Sequence, residues 1–109
     1  MKLHRYHLRM ANTFHCNFYH ITFSTSGRRR LIKDPLQPHL WRMMAGIVKK
    51  EGWHAVAIDG MDEHAHLLLN IPPVTAVAKA VQVIKANSSR WMRTKVPGFT
   101  WQQGTAASR

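Results

Sequence analysis

His64 and His66 are the residues of this chain whose type and spacing best suit chemistry. They flank Ala65 and open the run Leu67-Leu68-Leu69. In an extended strand successive side chains alternate, so His64 and His66 share one face while Ala65, Leu67, Leu69 and Ile71 share the other. Two imidazoles side by side reach one divalent cation, with a further ligand or substrate oxygens needed to complete its shell. Spacing alone leaves two readings, a metal-binding pair or two surface histidines on a strand. Asp62 and Glu63, just upstream, add acidic groups beside the pair.

Cationic groups form the second candidate set. Arg28-Arg29-Arg30 follows Ser26-Gly27 in a loop, where guanidinium groups can clamp phosphates bidentately. Lys79, Lys85, Arg90 and Arg93 decorate one helical segment, as a solvated surface or as a nucleic-acid contact. Cys16 is the only cysteine, which excludes an internal disulfide and a cysteine-based zinc site. The sequence has no glycine-rich phosphate loop, no Gly-x-Ser-x-Gly elbow and no HExxH helix. Trp41, Trp53, Trp91 and Trp101 read as packing residues rather than base-stacking platforms.

The hydrophobic pattern says which elements must position these groups. Residues 1–13 are basic and without period, and read as an N-terminal arm. From Phe14 the chain is strand-like, with Tyr19, Ile21 and Phe23 alternating with His20, Thr22 and Ser24. Asp34-Pro35 predicts a helix start, and Leu36, Leu40, Met43 and Ile47 mark its inner stripe. Gly52, after Lys49-Lys50, is the expected stop. Val56 and Ile58 alternate with Ala55 and Ala57 in a second strand; Asp59-Gly60 is a turn signal, and Met61-Asp62-Glu63 makes the connection longer than a two-residue hairpin. A third strand starts at His64 and ends before Pro72-Pro73.

A second helix is expected from about Val74 to Thr94, with Val77, Val81, Ile84, Ser88 and Trp91 inward. Pro97-Gly98 breaks it, and residues 99–102 read as a short fourth strand. The order β-α-β-β-α-β predicts an α+β, ferredoxin-like fold: an antiparallel sheet with both helices on one face. His64 and His66 then lie on the face that no helix of this chain covers.

The chain has 109 residues, enough for one domain with a modest core. Sixteen Lys and Arg against five Asp and Glu leave a formal charge of +11, which calls for an anionic partner. Nucleic acid leads, and an anionic membrane surface comes second. No apolar stretch is long enough to span a bilayer, and the N-terminus lacks a signal-peptide core. The expectation is a cytoplasmic protein without membrane partners.

Several segments, in order, carry a resemblance. Residues 18–25 (FYHITFST) with Arg28-Arg29-Arg30, then residues 60–69 (GMDEHAHLLL), resemble the HUH-type single-tyrosine transposases of bacterial insertion sequences. Pro72-Pro73, residues 77–82 (VAKAVQ), Ile84-Lys85, residues 88–91 (SSRW) and residues 101–104 (WQQG) are similar to the same family, which includes REP-associated tyrosine transposases. The likeness runs from about Asn12 to Gly104. It implies a transposase domain over residues 14–104 and a metal-dependent enzyme that nicks and rejoins single-stranded hairpin DNA.

The resemblance also implies site residues. His64 and His66 match the family's metal ligands, and Mg²⁺ or Mn²⁺ held there would polarise the scissile phosphate. In the family, a tyrosine on a following helix forms a 5′-phosphotyrosine link, and that helix supplies a third ligand, commonly Gln. Family members act as homodimers and in bacteria would associate with the nucleoid. Residues 105–109 (TAASR) do not continue into such a helix, so the expectation is a truncated chain lacking its nucleophile. Tyr6 in the arm and Tyr19 on the apolar row do not replace it. A non-catalytic single-stranded nucleic-acid-binding module and an inactive degenerate fragment are the alternatives.

Overall fold

The computed structural model describes residues 17–104 and 106–108; the arm at 1–13 and Cys16 lie outside them. Four strands, β1 (Phe18–Ser24), β2 (His54–Gly60), β3 (His64–Asn70) and β4 (Ala106–Ser108), form one sheet in the order β2-β3-β1-β4. All neighbours are antiparallel. Helix α1 (Gln37–Lys50) joins β1 to β2 across β3, and α2 (Val77–Arg93) joins β3 to β4 across β1. This is the α+β, split βαβ arrangement that the element order predicts.

The core lies between the sheet and the helices. Ala65, Leu67, Leu69 and Ile71 are fully buried, as are Ile21 and Phe23 on the neighbouring strand. Helix α1 brings Leu40, Met44 and Val48 onto this face, and α2 brings Ala80, Ile84, Ser88 and Met92. Each buried row follows i, i+4, i+8 spacing, one residue away in places from the expected stripes. Met43 and Ile47 give way to Met44 and Val48, and Val77, Val81 and Trp91 pack at the flank of theirs. Trp53 and Trp101 are buried, and Trp41 and Trp91 lean on the core, in keeping with a packing role.

Three local features depart from the sequence reading. Asp34 does not cap a backbone N–H; a 3-10 turn at Asp34–Leu36 precedes the helix, and Asp34 Oδ1 accepts from Gln37 Nε2 at 3.3 Å. The fourth strand is Ala106–Ser108, whereas residues 99–102 contribute only a Thr25–Trp101 bridge. Phe99 and Trp101 plug the core, which takes that segment out of the ladder.

Most consequential is a bulge in β2. Ala55 pairs with Leu69 but Ala57 with Leu68, so the register slips at Val56. An extra residue reverses the alternation that follows it. Ala55 and Ile58 therefore both pack on the core, and Asp59 comes opposite His66.

Candidate metal and nucleic-acid site

Two strands and one turn build the site. The β3 register places His66 across from Thr22 of β1 and Asp59 of β2, and His64 across from Ser24. Gly60 N-terminal to the turn and the Met61 N–H bond to the His64 carbonyl (2.9 Å) close β2 onto β3. His64 and His66 thus emerge side by side, half-buried, on the sheet face opposite the two helices, ring centroids 4.6 Å apart and edge to face. His20 of β1 lies on the same face, its ring centroid 5.2 Å from that of His66.

Each ring of the pair has its Nδ1 committed. His64 Nδ1–H donates to Glu63 Oε1 at 2.5 Å, since a carboxylate can only accept. His66 Nδ1 lies 3.2 Å from the Thr22 hydroxyl. In each ring Nε2 is the nitrogen left for a cation when it carries no proton. Metal-ligating histidines have this pattern, with the second ring nitrogen held by a carboxylate or another polar group. Among the described residues no group of three or more His, Cys, Asp or Glu is arranged around one ion. The pair therefore fits a divalent cation as two of its ligands, with the rest of the shell coming from elsewhere.

Burial, and then the neighbouring His64 and His20 rings, hold the His66 imidazole below its ordinary pKa, against a smaller opposing pull from Asp59. A neutral His66 is the form that binds a cation. Glu63 is held below the usual carboxylate range by its hydrogen bond from His64 and by Arg28, which together outweigh desolvation. Arg28 reaches Glu63 Oε2 through Nε at 3.0 Å and Nη2 at 2.9 Å.

A sequence model described as "Transposase IS200 like" matches residues 12–108. The chain belongs to the IS200-like transposase family. Its fold is similar to a crystal structure described as a candidate transposase from Deinococcus radiodurans R1, with TM-score 0.81, 24% identity, and 86% of this chain and 78% of that one covered. It is also similar to a REP-associated tyrosine transposase bound to a REP hairpin, with TM-score 0.65 and 15% identity. That match covers 87% of this chain and 56% of the other. No curated protein sequence matches significantly.

In this IS200-like transposase chain the expected basic residues separate into two groups. Arg28, Arg29 and Arg30 lie at the histidine end of the sheet, in the loop after β1. Arg28 turns inward to Glu63, Arg30 lies 3.8 Å from Asp62, and Arg29 is exposed. Lys79, Lys85, Arg90 and Arg93 belong to α2, with the sheet between them and the histidines. Lys85 donates to the Gln102 carbonyl at 2.8 Å and Arg93 to the Phe99 carbonyl at 3.3 Å, which clamps the 99–102 segment to the helix. Arg90 donates to Asn87 within α2, and Lys79 is exposed.

Sequence reasoning missed His20, Thr22 and Asp59 as neighbours of the pair. Their signal is present only as strand alternation in β1 and β2, and which residues face each other depends on register. No helix among the described residues is long and apolar enough to cross a membrane.

Proposed function

We propose that this chain binds single-stranded or hairpin DNA, together with Mg²⁺ or Mn²⁺, on the open face of its sheet, and serves DNA nicking and rejoining in transposition. The observation that carries this reading is the His64–His66 pair of an IS200-like transposase chain, ring centroids 4.6 Å apart, with both Nδ1 atoms in polar contact with neighbouring side chains. The hairpin-bound relative supports DNA as the partner. A bound divalent cation would supply Lewis-acid polarisation of a phosphate oxygen. His64 and His66 would hold it, and Arg29 and Arg30 would draw the phosphate backbone to the same end of the sheet. The α2 cations Lys79, Lys85, Arg90 and Arg93 would contribute a weaker, sequence-independent attraction from the other layer.

Tyr19 is not the nucleophile in this proposal. It packs against the core on the helical side, in register with Leu69, and the histidines face the opposite way. The attacking hydroxyl comes from outside residues 17–104. A homodimer, as in the resembling family, would bring a second copy of the same face to the DNA.

The test pairs two measurements on a labelled hairpin oligonucleotide. Mn²⁺ should strengthen binding in the native chain, and His66→Ala should abolish that gain. Binding that ignores both Mn²⁺ and His66→Ala favours a non-catalytic nucleic-acid module. A covalent protein–DNA adduct mapped to a residue within 17–104 would overturn the placement of the nucleophile.

A further inference from the structure

Arg28 has a left-handed backbone, φ +53°, directly after Gly27 at φ +65°. A non-glycine residue there is strained, and such strain persists only where the surroundings over-determine it. Here the surroundings do so. Arg28 N–H donates to the Thr25 carbonyl at 2.8 Å, and Gly27 N–H donates to Gln102 Oε1 at 3.0 Å. The result aims the guanidinium at Glu63, with both of its contacts on Oε2. Oε1 is left for His64.

Glu63 is pinned at its main chain as well. Its carbonyl accepts from Thr25 N–H at 2.9 Å, and the Thr25 hydroxyl donates to the Arg29 carbonyl at 2.6 Å, which ties the loop to the same strand end. Thr25 itself is fully buried. The carboxylate therefore has little freedom to leave the His64 ring. Stability does not account for this construction, because the Arg28 side chain is 65% exposed and such ion pairs contribute little.

We infer that Arg28 and Glu63 are positioning residues, a two-step relay that fixes His64 as the Nδ1–H tautomer and turns its Nε2 lone pair toward the cation. The inference rests on reading His64 and His66 as cation ligands. It also divides the three arginines by role: Arg28 acts inward on the ligand, Arg30 lies beside Asp62, and exposed Arg29 remains for phosphate.

Calorimetric Mn²⁺ titration of the full chain and ¹⁵N NMR of its histidines at neutral pH test the relay, with circular dichroism to verify folding. Glu63→Ala should weaken Mn²⁺ binding by about ten- to a hundredfold, the usual cost of losing such a partner. The same substitution should convert the His64 signal from one tautomer to a mixture. Glu63→Gln, which keeps the acceptor oxygen, should restore the single tautomer and part of the affinity. Arg28→Ala should weaken Mn²⁺ severalfold while Arg29→Ala does not.

Unchanged tautomer and affinity in Glu63→Ala would overturn the relay, as would a tautomer mixture in the native chain. If the native chain and His66→Ala bind Mn²⁺ equally poorly, the metal reading fails by itself. The tautomer spectra then decide the relay independently.

Discussion

A methyl group added at Gly60 would overlap the His64 carbonyl oxygen and lie 2.8 Å from Ala65 Cα and 2.9 Å from the Trp41 ring. Two of those three neighbours are main-chain atoms of the histidine strand, which cannot yield without moving the site. Gly60→Ala is expected to destabilise the fold by about 1–3 kcal/mol, as overpacking does, and to lower Mn²⁺ affinity in parallel. Urea unfolding and metal titration on the same variant check the two effects.

His66 sets a pH dependence at the same scale. Its imidazole titrates below the ordinary 6.5 in the folded chain because of burial and its His64 and His20 neighbours. As pH falls through 6.5, the unfolded chain takes up the proton first. The unfolded state then binds more protons, so stability drops with falling pH and levels off once the folded ring is protonated as well. Metal-free protein should show a lower urea midpoint at about pH 5 than at about pH 7.5, and His66→Gln should flatten that difference.

At the scale of elements, the 99–102 segment is held to α2 and β1 by a small set of polar contacts. Ser88, fully buried, donates to the Ile84 carbonyl at 2.6 Å and accepts from Trp101 Nε1 at 3.0 Å. Gln102 N–H donates to the Ser24 carbonyl at 2.6 Å, next to the basic loop. Ser88→Ala leaves a buried indole N–H without its acceptor and is expected to cost about 1–3 kcal/mol, read as a shift in urea midpoint at constant m-value.

Element order and the inner face of β3 are legible in the sequence because long apolar periods leave few alternatives. Helix stripes are legible only to within one residue. Leu40 belongs to either stripe, and the packed helix buries Met44 and Val48 while Met43 and Ile47 stay half-buried. The fourth strand is not legible, since Phe99 and Trp101 carry strand propensity yet are taken by the core. Ala106–Ser108, with no such propensity, pairs with β1 because an edge is open there.

Across the whole molecule, charge and layering act together. A net +11 on 109 residues favours phosphate neutralisation, and binding to DNA should weaken steeply as salt rises. Replacing both Arg29 and Arg30 by Ala should reduce the slope of log affinity against log salt by about 2. The same pair of substitutions at Lys79 and Arg90, on the far layer, should lower hairpin affinity less and leave Mn²⁺ binding unchanged. Filter binding over a salt series separates these outcomes.

The sequence by itself determined that His64 and His66 share a face, and that this face is opposite Ala65, Leu67 and Leu69. Strand alternation is a local rule, and eight residues suffice to apply it. Only the tertiary structure decided what stands beside the pair. The slip at Val56 brings Asp59 opposite His66, the β1 register brings Thr22 and His20, and the left-handed turn at Gly27–Arg28 delivers a guanidinium to Glu63. Cross-strand neighbours depend on register, and register depends on which side chains the core accepts. That competition is settled only when the sheet and both helices pack together.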